Sequence, residues 1–184
     1  MPIMTHPGIE LIGKRVIDAV TDGQVHYQAI IALSNAYPTP PASTTIMDLS
    51  VEAEAFGAEI VFHDDDVPTV TGRLLTCAEQ VAELAVPSLE TKRVPQYLKA
   101  IELAVKDLTK PLFGGCIGPF SLAGRLYDLT ELMMAMYLEP DTATMLLDKC
   151  TEFITAYCLE MKKRGASGVV MAEPASGLLS NDDC

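Results

Sequence analysis

The sequence predicts an α/β fold, and within that class a (β/α) barrel, on three observations. Short apolar runs of strand character alternate with segments of helical spacing along the 184 residues. The runs are apolar almost throughout, which is typical of parallel strands covered on both faces. No G-x-G-x-x-G turn is present, and Gly114-Gly115 lies inside a strand run, so a dinucleotide-binding fold is disfavoured. A barrel places its functional groups just past the carboxyl ends of its strands.

The first part of the chain is predicted to be mainly helical. Helical spacing extends from Glu10 to Tyr37 with a break near Thr21-Asp22-Gly23, and the proline-rich stretch 38–41 ends it. The β-branched run Thr44–Met47 then leads as a strand to Asp48. Asp48 is therefore the first polar group expected at the mouth of the barrel.

The alternation of helix and strand continues to the end of the chain. A helix is expected over Leu49–Gly57 with Gly57 as its C-cap, followed by the strand Ala58–Phe62 and the acidic turn His63–Asp66. Further helices are predicted over 76–84, 94–108, 120–125, 130–138 and 141–164, the last with Asp141 as its N-cap. Strands are predicted over 111–118 and 168–172, so Gly118-Pro119-Phe120 and Glu173 also follow strands directly.

Composition and charge disfavour several functional classes. The formal net charge is −12 and the 13 Lys and Arg residues are scattered, so no nucleic-acid-binding patch is expected. No run of about 18 uncharged apolar residues is available to cross a membrane, and the N-terminus lacks the pattern of a secretory signal. The five cysteines are odd in number and contain no C-x-x-C pair. That pattern favours reduced thiols in a cytoplasmic protein, with Cys116, Cys150 and Cys158 in the core and Cys184 free.

Four segments carry a resemblance to a known family. They are LSVEAEAFGAEI (Leu49–Ile60), PTVTG (Pro68–Gly72), GGCIGPFSLAGRL (Gly114–Leu126) and GASGVVMAEPASGLLS (Gly165–Ser180). In order and spacing they resemble the uroporphyrinogen decarboxylase superfamily, in particular its branch of methylcobamide:coenzyme M methyltransferases. The third segment is similar to the third barrel strand of that superfamily, and the fourth to its fourth strand.

The resemblance implies that residues 1–184 form a single domain, roughly the first half of a (β/α)8 TIM barrel. In the methyltransferase branch the second half supplies a His-x-Cys pair and a later Cys, which hold a catalytic zinc. No His-x-Cys occurs in this sequence. No metal site and no cofactor are therefore expected in this chain, whereas the intact family member would use zinc and a corrinoid.

Six residues are candidates for a substrate pocket, and no catalytic residue is assigned. They are Asp48, Gly118, Phe120, Arg125, Glu173 and Ser176. Asp48 matches the aspartate that in decarboxylases accepts hydrogen bonds from substrate pyrrole nitrogens, although it would also suit an N-cap. Arg125 stands where decarboxylases carry a tyrosine, which weakens that assignment.

The other candidates follow the third and fourth strands. Glu173 matches an acidic family position, and small residues around Ser176 leave room for a ligand; a solvated loop acid is the alternative. Gly118 and Phe120 are interpreted as a pocket wall, with core packing as the alternative. Glu52, Glu54 and the Asp64–Asp66 turn are interpreted as solvated.

Three functions are compatible with the sequence. The first is part of a cobalamin-dependent methyltransferase, which moves a methyl group from a corrinoid to a thiol. The second is uroporphyrinogen decarboxylase of porphyrin biosynthesis, disfavoured because a substrate with eight carboxylates calls for a basic cleft. The third is a non-catalytic half-barrel that self-associates to cover its open sheet edges. The expected partners are a small-molecule substrate or a corrinoid protein, together with a second half-barrel, as in a homodimer.

Overall fold

Two β-sheets are present in residues 5–180, the part of the chain that the computed structural model describes. The strands are β1 (Ser43–Thr44), β2 (Glu59–Val61), β3 (Thr69–Thr71), β4 (Leu112–Ile117) and β5 (Gly168–Ala172). Strands β1, β4 and β5 are parallel and lie side by side in that order. Strands β2 and β3 form a separate antiparallel hairpin. The predicted parallel arrangement is confirmed, but the strand predicted at 58–62 belongs to the hairpin and not to the barrel sheet.

Helices separate the strands of the parallel sheet. They are α1 (His6–Leu11), α2 (Val16–Thr21), α3 (Gly23–Ala36), α4 (Val51–Phe56), α5 (Ala78–Glu83), α6 (Val94–Asp107), α7 (Pro119–Tyr127), α8 (Leu129–Leu138) and α9 (Pro140–Lys163). A 3-10 turn over Pro174–Leu178 follows β5. None of the helices within residues 5–180 is both long and apolar enough to cross a membrane.

The helix boundaries correct two predictions. The segment predicted as one helix with a single break is three helices. The break at Asp22 is confirmed, because its side chain accepts a hydrogen bond from Gln24 N at 2.8 Å and starts α3, but a second break at Gly13 (φ 63°) was missed. Helix α9 begins at Pro140 and has Glu139 as its N-cap, so the prediction for Asp141 is wrong; proline suits the first turn because its missing N–H would have no partner there.

The main core lies between the parallel sheet and helices α6 and α9. Leu98 and Ile101 of α6 are buried. Gly114 of β4 lets α9 approach closely: a Cβ at this position would lie 2.4 Å from Met161 Sδ and 3.5 Å from Ile101 Cδ1. Burial of each such side chain contributes about 1.5–3 kcal/mol.

The carboxyl ends of the three parallel strands lie at one edge of the sheet. Gly118 N donates to Ala172 O at 2.8 Å and extends the β4–β5 ladder by one residue. Beyond β1, Ile46 N donates to Nε2 of the buried His26 at 2.9 Å, and burial lowers the pKa of His26 to about 3. The neutral imidazole therefore holds the segment that leads to Asp48.

Candidate substrate-binding site

The carboxylate of Asp48 is enclosed by four hydrogen-bond donors. Its Oδ1 accepts from Ser50 N at 2.9 Å and from Ser50 Oγ at 2.6 Å. Its Oδ2 accepts from Arg93 Nη1 at 2.5 Å and from Tyr97 Oη at 2.9 Å. The side chain is 0% exposed. Helix α4 begins after Ser50, its N-cap, so the alternative interpretation of Asp48 as the N-cap is wrong.

Arg93 joins two carboxylates that are well separated in the sequence. Besides Asp48, its Nε donates to Glu54 Oε2 at 2.5 Å and its Nη2 to Ser50 Oγ at 2.8 Å. Although burial opposes it, the charge of Asp48 raises the pKa of Arg93. Burial, and then the Asp48 charge, raises the pKa of Tyr97 well above its ordinary value, so its phenol remains a donor. We call Asp48, Ser50, Glu54, Arg93 and Tyr97 the Arg93 cluster.

Glu52 lies beside this cluster and is also enclosed. It is 1% exposed, and its Oε1 accepts from Ile117 N at 3.1 Å, the residue that ends β4. Its Oε2 and the hydroxyl of Tyr157 are buried and have no partner among the described residues. Burial is the main reason that the pKa of Glu52 is raised to about 8. The prediction that Glu52 and Glu54 are solvated is therefore wrong, because α4 turns both side chains toward packed neighbours.

Glu173 is bound at the first turn of α7. Its Oε1 accepts from Ser121 N at 2.6 Å and its Oε2 from Phe120 N at 3.2 Å. A carboxylate satisfies the free N–H groups at a helix N-terminus and is favoured by the dipole there. Gly118 makes this approach possible, since a Cβ on it would lie 1.8 Å from Glu173 Oε2. Glu173 is thus not a solvated loop acid.

Gly118, Phe120, Glu173 and Ser176, four of the candidates that follow β4 and β5, lie close together. Phe120, Glu173 and Ser176 line one cavity of about 310 Å³ together with Leu147 and Met136. Gly118 is buried beneath Glu173. The structure therefore brings these candidates together, while their contact with a substrate stays a prediction.

Arg125 lies between the cavities at this end of the sheet. It lines a cavity of about 310 Å³ with Ser121 and Ala175, and another of about 190 Å³ with Met47 and Ser50, next to the end of β1. The side chain is partly buried. The other four arginines of the chain form ion pairs with Asp or Glu, whereas no ion pair of Arg125 occurs within residues 5–180. A guanidinium held in this way is suited to bind an anionic group of a ligand.

The described residues offer no set of donors for a metal. Within residues 5–180 no three His, Cys, Asp or Glu side chains are grouped as a metal site requires. The Asp64–Asp66 turn is exposed as predicted, and Asp64 pairs with Arg15 at 3.1 Å. Cys116 and Cys150 are buried as predicted, but the prediction that Cys158 belongs to the core is wrong, because it is partly exposed; Cys184 lies outside the described residues. The zinc of the methyltransferase branch therefore has no ligand set among the side chains of residues 5–180.

Sequence reasoning missed Arg93, Tyr97 and the burial of Glu52. One signal was available, because Arg93 immediately precedes the apolar helix 94–108. A cation at a helix N-terminus is opposed by the dipole, so an arginine there calls for nearby carboxylates. No comparable signal marks Glu52.

Comparisons with known proteins identify several relatives of this chain. MtbA of Methanosarcina mazei, a methylcobamide:CoM methyltransferase, is 30% identical over 132 residues, which are 70% of this chain and 39% of that protein. The uroporphyrinogen decarboxylase of Thermodesulfovibrio yellowstonii is 28% identical over 149 residues, 77% of this chain and 43% of that protein. A solved methyltransferase from Methanosarcina mazei superposes with a TM-score of 0.87 at 25% identity, over 97% of this chain and 54% of that chain.

The fold and the matches define part of an α/β barrel. The profile of the uroporphyrinogen decarboxylase (URO-D) family matches residues 4–184, and the chain belongs to that family. It spans 39% to 43% of the length of the two curated relatives named above and aligns with about half of the solved methyltransferase. The predicted partial barrel is confirmed.

Proposed function

We propose that this chain is part of an enzyme that transfers a methyl group from a corrinoid to a thiol. The observation that carries the proposal is the superposition on a methyltransferase over 97% of the chain with a TM-score of 0.87. The residues described here shape and charge the cavity at the carboxyl ends of the strands. They bind and orient the substrates, and no step of the transfer is assigned to them.

Arg125 is the group that we assign to the anionic end of the thiol substrate. It is partly buried, lines two cavities and has no ion pair within residues 5–180. Two relatives are named as methylcobamide:CoM methyltransferases. Coenzyme M is a small thiol whose other end is a sulfonate, which is an anion. A sulfonate presents several acceptor oxygens to the planar donors of a guanidinium.

A corrinoid and zinc belong to the proposed whole enzyme. Zinc would hold the acceptor thiol as the nucleophilic thiolate. The side chains of residues 5–180 do not group as donors for it, so the role proposed for this chain stops at binding. Phe120 is itself buried, and the cavity that it lines with Met136 and Leu147 offers an apolar surface for the corrinoid or its carrier protein.

Uroporphyrinogen decarboxylase is the second candidate, favoured by decarboxylase relatives such as the one that is 28% identical. The hydrogen bonding of Asp48 disfavours this function. Each of its two carboxylate oxygens accepts two hydrogen bonds from this chain. Pyrrole N–H donors would therefore have to displace Arg93 or Ser50. The net charge of −12 also disfavours a substrate with many carboxylates.

Ligand binding tests the two functions on the chain itself. Calorimetric titration with coenzyme M, then with a carboxylated porphyrin, should give saturable binding of the thiol that Arg125→Met weakens. Binding of the porphyrin alone would reverse the order of the two candidates. Neither methylcobalamin demethylation nor release of CO₂ is expected from this chain alone, and turnover of uroporphyrinogen would overturn the proposal.

We further propose that a second half-barrel covers the free edge of β5. Met171 on this strand is 47% exposed, and Leu159 on the neighbouring α9 is 62% exposed. Open strand edges flanked by apolar side chains favour pairing. For the chain alone we commit to a second copy, in a symmetric dimer. Sedimentation at micromolar concentration tests this, and a monomer would exclude the homodimer.

A further inference from the structure

Two cysteines that are distant in the sequence meet between the sheet and α9. Cys116 Sγ on β4 lies 3.9 Å from Cys158 Sγ on α9. Cys116 is 1% exposed, whereas Cys158 is partly exposed. The other described cysteines, Cys77 and Cys150, make no such sulfur contact. The two thiols are therefore a distinct pair.

The backbones that carry this pair are held close together. Gly114 lies two residues before Cys116 on β4. A Cβ at Gly114 would lie 2.4 Å from Met161 Sδ, so the absence of a side chain there allows β4 and α9 to pack closely. Met161 is three residues after Cys158 on the same face of α9. A disulfide requires the sulfurs to approach to about 2.05 Å, which is a movement of roughly 2 Å between side chains already in contact.

The two thiols differ in access and in acidity. Cys158 lines an open cavity of about 370 Å³ that also contains Lys162, one helical turn further on. A hydrogen bond from Cys116 lowers the pKa of Cys158 to about 7, and the same interaction together with burial raises the pKa of Cys116. Thiolate is the reactive form of cysteine. Cys158 is therefore placed to react with a small solute, and Cys116 to react with Cys158.

We propose that Cys116 and Cys158 form a reversible disulfide when the protein meets hydrogen peroxide. The Cys158 thiolate attacks one peroxide oxygen, the O–O bond breaks and hydroxide leaves, which gives a sulfenic acid at Cys158. Cys116 then attacks that sulfur, the S–S bond forms, and the S–O bond breaks with loss of water. The two thiols are oxidised by two electrons, and one peroxide is reduced to two waters.

This oxidation is independent of the methyl transfer proposed above. It involves a strand and a helix on the side of the sheet that packs against α9, and it requires no corrinoid, zinc or thiol substrate. Its expected consequence is a covalent link between β4 and α9 that restrains the strand whose end carries Gly118. An added dithiol such as dithiothreitol restores both thiols by exchange.

Peptide mapping of the peroxide-treated chain tests the proposal. We expect a Cys116–Cys158 linked peptide, the loss of two thiols per chain in a thiol titration after denaturation, and recovery of both with dithiothreitol. Cys77→Ser should behave as the wild type, because Cys77 is not part of the pair. In Cys116→Ser the sulfenic acid of Cys158 should persist and be trapped by dimedone.

Two outcomes would overturn the proposal. One is direct oxidation of Cys158 to sulfinic acid in the wild type without a link to Cys116. The other is a link of either cysteine to Cys77, Cys150 or Cys184, within or between chains. Should Cys116→Ser fail to fold, as judged by circular dichroism, Cys158→Ser provides the second variant: its Cys116 thiol should resist peroxide because it is buried.

Discussion

Arg93 Nη1 lies 2.5 Å from Asp48 Oδ2, and both side chains are almost completely shielded from solvent. The pair connects the loop that leaves β1 with the N-terminus of α6. An ion pair enclosed in this way must be kept intact, because either charge left alone in the interior is strongly unfavourable. In this structure the Asp48 carboxylate is therefore bound by groups of the protein itself and is not free to bind a ligand.

Replacement of Arg93 by methionine should therefore strongly destabilise the folded chain. Two carboxylates, Asp48 and Glu54, lose their buried cation, and we expect the free energy of unfolding to fall by about 3–5 kcal/mol. Urea denaturation with linear extrapolation measures it. The matched control is Arg73→Met, which removes a pair with Glu131 that is about 40% exposed on both sides and should cost less than about 1 kcal/mol. Equal losses in the two variants would show that the Arg93 cluster is not structurally important.

Gly118 should not accept even a methyl group. In Gly118→Ala the Cβ would lie 1.8 Å from Glu173 Oε2, so the carboxylate must leave the N-terminus of α7. We expect a loss of about 1–3 kcal/mol from the unpaired N–H groups and the displaced charge, measured by chemical denaturation.

The control for this substitution is Gly177→Ala, in the 3-10 turn of the same site. A Cβ at Gly177 meets no atom within 4 Å, and the change should lie within about 0.5 kcal/mol. In a Glu173→Ala background, Gly118→Ala should cost less than it does alone, because the carboxyl group is gone and only the Cβ of residue 173, at 3.0 Å, stays near the added methyl group. Strict additivity would contradict the assigned contact.

The raised pKa of Glu52 predicts that the stability of the folded chain depends on pH. Burial raises its pKa in the folded chain from an ordinary value of 4.5 to about 8, so the folded chain binds the proton more tightly than the unfolded chain. The stabilisation by neutral Glu52 is fully present below pH 4.5, decreases as the pH rises, and is lost above pH 8. Glu52→Gln is neutral throughout.

We therefore expect the free energy of unfolding of the wild type to fall relative to that of Glu52→Gln between pH 4.5 and pH 8. The upper limit of this relative change is about 5 kcal/mol. Denaturation curves at a series of pH values measure it, and Glu152→Gln on the exposed face of α9 serves as the control. Parallel pH profiles of the wild type and Glu52→Gln would contradict the raised pKa.

Arg125 should matter for binding and not for stability. Because it forms no ion pair within residues 5–180, Arg125→Met should change the free energy of unfolding by less than about 0.5 kcal/mol. The same change should weaken binding of coenzyme M by about 10- to 150-fold, the value of a hydrogen bond to a charged group. Arg125→Lys keeps the charge, and its affinity for coenzyme M should lie between that of the wild type and that of Arg125→Met. Unchanged affinity in Arg125→Met would remove this residue from the site.

The sequence by itself determined the parallel α/β architecture, the family and the edge of the sheet at which the candidate site residues lie. These follow from local patterns, because strand runs such as 111–118 and helices such as 94–108 are set by nearby residues. It also placed Gly118 and Glu173 after neighbouring strands, and parallel strands bring their carboxyl ends to one edge.

Only the tertiary structure decided what the charged groups at this edge do. Asp48 and Arg93 are 45 residues apart, and Glu173 meets Ser121 across 52 residues. The state of a carboxylate depends on the donors and the solvent around it, which are supplied by distant parts of the chain and leave no local pattern. For the same physical reason the burial of Glu52 and the contact of Cys116 with Cys158 appear only when α4, α9 and β4 are packed together.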